Sequence, residues 1–276
     1  MALITGASSG IGEGFAEELP DATGLLLVAR NAARLQALER RLTRPGRPIV
    51  PVPADLTTDA GRSAVIEQAE AHGVDLLINN AGRGQLGRVI DHAPEEERAT
   101  IELNVTTTLV LTRALLPGML ERARAAGRRA GLIIVSSEAA FAPLPYFATH
   151  AASKAFNLVL AESLAEELRG EPVDVMALCP GATRTDFGRR AGFAAGNWPG
   201  AADPRAVARE ALGALGRRNV LVSGRLRRAA LSPVTVQRAI AARGLGCLIG
   251  WIASRQPADD EPKPVARRAH RGTMPQ

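Results

Sequence analysis

His150 and Lys154 stand four residues apart in a stretch that reads as helix, a spacing that puts both side chains on one helix face. An imidazole beside an ammonium is a proton-transfer pair. Histidine ordinarily titrates at about 6.5 and a neighbouring cation pushes it lower, so His150 is expected to be neutral. Neutral imidazole is a poor proton donor to a developing alkoxide but a competent base toward an alcohol. Near neutral pH His150 is therefore expected to take a proton more readily than it gives one.

A second group of residues could hold an anion. Gly6-Ala7-Ser8-Ser9-Gly10-Ile11-Gly12 follows an apolar strand directly and runs into a helix. Glycine at a strand end permits a tight turn, later glycines admit a pyrophosphate to the backbone amides, and the helix N-terminus supplies partial positive charge. In that context the pattern is a dinucleotide fingerprint, placing Gly6, Ser8, Ser9, Gly10, Ile11 and Gly12 at the phosphates. The end of the second strand reads the adenosine ribose in such folds. Here it runs Val28-Ala29-Arg30-Asn31, with no carboxylate. Arg30, with Arg34 one turn on, suits a 2′-phosphate and predicts NADP(H).

The elements that must position these groups alternate along the chain. Ala2–Thr5, Leu25–Ala29, Ile49–Val52, Leu76–Ile78, Leu132–Val135, Val173–Leu178 and Val220–Val222 read as seven strands. Most are apolar at consecutive positions, as strands covered on both faces should be. Helical patterns lie between them: Ile11–Leu19, Ala32–Leu42, Arg62–Ala71, Glu95–Leu116, Ala151–Leu168 and Ala206–Leu215. This alternation predicts an α/β fold, a doubly wound, seven-stranded parallel sheet of Rossmann type in one domain of residues 1–225. Ser232-Pro233 predicts the N-cap and first turn of a helix in an extension over 226–255. The proline- and charge-rich stretch 256–276 is expected to be disordered.

Composition narrows the function classes. The 276 residues are 46% hydrophobic, enough for a sizeable core. The net charge of +6 is not spread evenly: residues 1–225 balance 25 cations with 25 anions, while 226–276 hold nine against three. A neutral body with a basic tail argues against nucleic-acid binding and allows at most weak surface association through that tail. No signal peptide or membrane span is read. Cys179 and Cys247 cannot build a disulfide framework or a zinc site alone, which fits a reducing, cytoplasmic setting. His72, His92 and His270 have no partner at metal spacing and are assigned to helix surface, loop and tail, so no metal is expected.

Several segments together resemble the short-chain dehydrogenase/reductase family. They are Thr5 to Gly12, Asp55-Leu56, Asn79-Asn80-Ala81-Gly82, Asn104-Val105, Ser136-Ser137, Ser153-Lys154-Ala155 and Pro180-Gly181, in the family's order over about residues 1–225. The resemblance implies that Asp55, Leu56, Asn80, Ala81, Gly82, Pro180, Gly181, Thr183, Thr185 and Lys154 line the cofactor, with Asp55 at the adenine and Thr185 at the nicotinamide amide. It implies that Ser137 holds the substrate oxygen, Lys154 binds the ribose and Asn104 orders a relay water. It also implies a homodimer or homotetramer through paired long helices. The family's acid is a tyrosine four residues before the lysine, and that position here is His150. The sole tyrosine, Tyr146, lies eight residues before Lys154 behind Pro143 and Pro145, which argues against an early helix start. It reads as a packing or pocket residue.

The loop from Asp186 to Pro204 carries Phe187, Phe193 and Trp198 among glycines and would close over a small apolar substrate; ordinary core packing of these rings is the alternative. Three functions stay open on the sequence: an NADP(H)-dependent alcohol/carbonyl oxidoreductase, a non-redox enzyme using His150 as base, and a cofactor-binding protein with little turnover.

Overall fold

The computed structural model describes residues 1–193 and 200–253. Its strands are β1 (Ala2–Thr5), β2 (Leu25–Ala29), β3 (Ile49–Pro53), β4 (Leu76–Asn79), β5 (Ala130–Val135), β6 (Val173–Cys179) and β7 (Val220–Val222). The helices are α1 (Gly10–Glu18), α2 (Ala32–Leu42), α3 (Asp59–Ala71), α4 (Pro94–Ile101), α5 (Thr107–Ala126), α6 (Ala148–Glu167), α7 (Phe187–Arg190), α8 (Pro204–Ala214) and α9 (Arg225–Ala253). The strands form one parallel sheet in the order β3-β2-β1-β4-β5-β6-β7. The order reverses between β1 and β4, so a crevice opens beyond the carboxyl ends of those two strands.

Alternate residues of each strand feed the two faces, and both faces are covered. Leu3, Leu26 and Leu77 pack under α3, α5 and α6, while Ile4, Leu27 and Ile78 pack under α1, α2 and α8. This is why the strands read as unbroken apolar runs. The prolines of β3 reveal its place. Leu25 N–H donates to Pro48 O and Ala54 N–H to Ala29 O, so the even positions of β3 bond to β2. Pro51 and Pro53 therefore turn their missing N–H groups toward the free edge, where a central strand would have lost ladder bonds.

Three helix starts were misread from sequence, α6 among them, which begins at Ala148 rather than Ala151, with Ala151 N–H already donating to the Phe147 carbonyl at 3.0 Å. Helix α3 begins three residues earlier than Arg62, because Thr58 caps it by accepting Gly61 N–H at 3.0 Å. Helix α9 begins at Arg225, so Ser232-Pro233 is interior rather than a start. Pro233 cannot donate to the Ala229 carbonyl, and the Ser232 hydroxyl donates to that carbonyl instead at 2.9 Å, which lets the helix continue. The long crossover expected as one helix is α4 and α5 joined by a π-helical turn, Glu102–Thr106.

The continuous run from Pro94 to Ala126 is long and apolar enough to cross a membrane by length and composition. Leu111, Leu115 and Met119 of that run are buried in the core against the sheet, as a crossover helix requires. The region expected to be disordered, 256–276, lies outside the described residues, as does Trp198.

Candidate active site

The glycine loop is built for close approach. Gly6 and Gly10 adopt φ of 68° and 62°, a conformation that disfavours side chains. A Cβ on Gly6 would stand 2.9 Å from Asn80 Nδ2, and one on Gly10 would stand 2.8 Å from the Thr185 methyl. Asn80 is the brace of this turn: Nδ2 donates to Thr5 O at 2.8 Å. Thr5 Oγ1 accepts both the Asn80 and Ala81 N–H groups at 2.9 Å. Ser9 caps α1 without a side-chain hydrogen bond to its amides, and Ser8 and Ile11 are half-buried beside it. The first amides of α1 thus keep their donors for an anion.

Around that loop the predicted residues divide. Arg30 is exposed at the end of β2, next to the crevice. Asp55 accepts Thr57 N–H and Oγ1–H; those bonds, the backbone one first, and nearby Arg30 hold its carboxyl below the usual range against the effect of burial. The Leu56 side chain is buried in the core and its carbonyl accepts from Arg62 and Thr107, so its N–H is the group it offers a ligand. Thr183 bonds the Gly181 carbonyl and bridges to Ala202, and Thr185 Oγ1 accepts Phe187 N–H. Gly181 lies under Arg227 and Glu138, and the Pro180 carbonyl accepts Glu138 N–H.

The second half of the site lies on β5 and α6. Ser137 follows β5 directly, and its Oγ accepts Ala139 N–H at 3.1 Å, which leaves the hydroxyl proton free to donate. One face of α6 carries His150, Ser153, Lys154 and Asn157, all buried. The helix begins at Ala148, so Tyr146 is outside it. The packing expectation for Tyr146 is corrected: the residue is 63% exposed, and among the described residues its recorded hydrogen bond is made by its carbonyl, which accepts Gly87 N–H.

His150 Nδ1 lies 3.1 Å from the Arg83 carbonyl, which can only accept. This contact assigns the proton to Nδ1 and leaves a lone pair on Nε2. Among the described residues Nε2 has no hydrogen-bond partner. The ring stacks on Phe147 at 4.4 Å and lies 5.3 Å from Phe187, while Phe193 packs edge-on to Phe147 at 5.4 Å. Burial in this aromatic cage is the larger cause, and the Lys154 charge the smaller, of a pKa lowered to about 4. The sequence pointed to the lesser cause.

Lys154 is buried, and Nζ donates to the Val135 carbonyl at 2.9 Å; burial lowers it to about 8. Asn104 sits in the π-helical turn. Its Nδ2 donates to Arg83 O and Ser153 Oγ, and its Oδ1 accepts Arg83 N–H. Asn104 thereby fixes Arg83, whose carbonyl fixes His150. Gly82 lets both groups pack close to the backbone: a Cβ there would stand 3.2 Å from Lys154 Nζ and 3.3 Å from Asn104 Oδ1, tighter than ordinary contact. Sequence reasoning missed Arg83, Phe147 and Ser153. The only signal for the first was its place between Gly82 and Gly84, which leave room for Lys154 and for the His150 and Phe147 rings.

Residues 1–193 match the family model for short chain dehydrogenases. The chain belongs to the short-chain dehydrogenase family. A short chain dehydrogenase of Pseudocercospora fijiensis is 35% identical over 195 residues, covering 68% of this chain and 60% of that relative. The chain thus spans less than two thirds of that relative's length. Among solved structures, a short-chain dehydrogenase from Sphingobium yanoikuyae in complex with NADPH is similar at TM-score 0.73 and 31% identity, covering 94% of this chain and 98% of that one. A 3-ketoacyl-(acyl-carrier-protein) reductase from Brucella melitensis complexed with NADH is similar at TM-score 0.71 and 28% identity, over 80% and 95%. This short-chain dehydrogenase is therefore of an oxidoreductase family whose structures hold nicotinamide dinucleotides.

Proposed function

We propose that this short-chain dehydrogenase is an NADP(H)-dependent oxidoreductase that interconverts an alcohol and a carbonyl on a small apolar substrate, with His150 as the acid/base. The observation that carries it is the His150 ring, held through Nδ1–H by the Arg83 carbonyl with Nε2 unpartnered, on the helix face that carries Lys154. The glycine cradle, which a Cβ at Gly6 or Gly10 would crowd, fits a dinucleotide pyrophosphate, and uncapped α1 fits its charge. Arg30 and Arg34 would hold the 2′-phosphate, Asp55 the adenine, and Lys154 the nicotinamide ribose. When bound, the nicotinamide supplies or accepts the hydride.

The chain's own residues then handle the proton. Ser137 donates its free hydroxyl proton to the substrate oxygen and orients it. His150 Nε2 takes the proton from an alcohol, and a pKa of about 4 makes it a base at neutral pH rather than an acid. Asn104 would order the proton-relay water, held in place by its own bonds to Arg83 and Ser153. Phe147, Phe187 and Phe193 exclude bulk water and favour an apolar substrate. The low pKa also favours the second reading, in which His150 acts as a base in non-redox chemistry. Exposed Ile101, Leu109 and Val159 on α4, α5 and α6 support a homodimer or homotetramer through those helices. The body over 1–225 and the extension over 226–255 form one cytoplasmic enzyme on this reading.

The test is alcohol oxidation with NADP⁺ across a panel of apolar secondary alcohols, in wild type and His150→Phe. Hydride transfer lost in the variant but not in the wild type is expected. Transfer in neither protein, with NADPH still bound, would reject the redox reading.

A further inference from the structure

We propose that Arg190 is a specificity-determining contact for the cofactor's 2′-phosphate, delivered by the loop that also covers His150. This deepens the NADP(H) reading above and rests on it. Arg190 ends α7, the four-residue helix after β6, and its Nη2 lies 3.5 Å from Ser9 Oγ in the glycine loop. The charges of Arg34 from α2 and Arg30 from the end of β2 act on the same guanidinium. Burial and the charges of Arg34, Arg30 and Arg189 all work against the Arg190 cation, with Asp186 opposing.

The local charge does not balance. Asp186 is engaged by Arg34 at 3.6 Å and by Arg189 at 2.9 Å. Among the described residues neither Arg30 nor Arg190 has a carboxylate within ion-pair distance. Arg30, Arg34, Arg189 and Arg190 outnumber the nearby carboxylates Asp186 and Asp55, and a phosphate dianion accepts from several guanidinium groups at once. The arginines come from three separate segments: Arg190 reaches Ser9 at the helix N-terminus, Arg34 reaches Asp186 of the same loop, and Arg30 lies close enough for its charge to act on Arg190.

The same turn of helix reaches the reaction site. Phe187, three residues before Arg190, lies 5.3 Å from the His150 ring and 6.4 Å from Phe147. Thr185, just ahead of it, packs its methyl on Gly10 and accepts Phe187 N–H, and the Ala191 carbonyl just after accepts Leu86 N–H at 2.8 Å. One turn spans only about 5 Å, so a phosphate drawing on Arg190 also fixes the wall of the His150 cage. A dinucleotide without the 2′-phosphate would leave that wall less held.

The experiment uses the full chain and the probes 2′,5′-ADP and 5′-ADP, titrated by calorimetry into wild type, Arg190→Met, Arg190→Lys and Arg30→Met. Arg190 belongs to neither hydrophobic core, so the substitutions leave the core intact. Arg190→Met is expected to weaken 2′,5′-ADP by about tenfold or more and 5′-ADP by less than about twofold, with Arg190→Lys intermediate. Hydrogen exchange of residues 187–192 should slow with 2′,5′-ADP but not with 5′-ADP in wild type, and with neither probe in Arg190→Met. Equal weakening of both probes, or no weakening where Arg30→Met shows it, overturns the assignment to Arg190. No preference for 2′,5′-ADP in wild type, with both arginine variants neutral, overturns the NADP(H) reading beneath it.

Discussion

The His150 cage sets a rate penalty that can be worked out in advance. With the imidazole lowered to about 4, the cation that carbonyl reduction requires is about one molecule in 10³ at pH 7. Three pH units at 1.36 kcal/mol each amount to about 4 kcal/mol on the reductive barrier. Oxidation needs the neutral ring, which is already present, so it bears no such penalty above about pH 5. The assay is initial-rate kcat/KM for NADPH consumption with a carbonyl and for NADP⁺ reduction with the matching alcohol, at constant ionic strength from about pH 5 to 8. Reduction should fall about tenfold per pH unit while oxidation stays flat. His150→Tyr restores a phenol whose proton the Lys154 charge makes easier to release; it should raise reduction at pH 7 by about 10²-fold or more and flatten its profile. Reduction that is flat with pH in the wild type, and unchanged in His150→Phe, would refute the assignment of the proton to this ring.

Three further outcomes are expected. Arg30→Glu places a carboxylate against the 2′-phosphate and should weaken NADPH about 100-fold, roughly 3 kcal/mol, without weakening NADH; fluorescence titration reads both. Lys154→Met should stabilise the fold at pH 7 by about 1 kcal/mol in urea unfolding: a folded pKa of about 8 means the buried cation costs about 3 kcal/mol, against about 2 for the lost charge-assisted bond to Val135 O. Because the unfolded chain holds the proton up to its ordinary value, wild-type stability should climb between about pH 8 and 10.5 and the gap should close; a destabilised variant at pH 7 counts against the buried charge. Arg238→Ala strands the buried Glu162 carboxylate of α6 and should cost about 2 kcal/mol while speeding hydrogen exchange in α9; unchanged melting would show that the pair does not anchor that helix.

Much of this protein was legible in its sequence because the signals were local. Seven apolar runs, the Gly6 to Gly12 loop and the spacing of His150 and Lys154 each depend on neighbours within a few residues, and β1, β2, β7 and α2 appear with the boundaries read. The starts of α3 and α9 were missed because a cap at Thr58 and a hydroxyl at Ser232 outweigh the apolar periodicity and the proline. Only the tertiary structure decided what surrounds the proton. Arg83 follows β4, Asn104 occupies a π-helical turn, and Phe147 and Phe187 lie forty residues apart, yet together they tether, cage and dry one imidazole. Burial is a sum over segments that no spacing rule sees. The sequence by itself placed an imidazole four residues before Lys154 and set the expectation that it is neutral; the fold decided how far burial lowers it, which nitrogen carries its proton, and that Arg190 stands one turn from its wall.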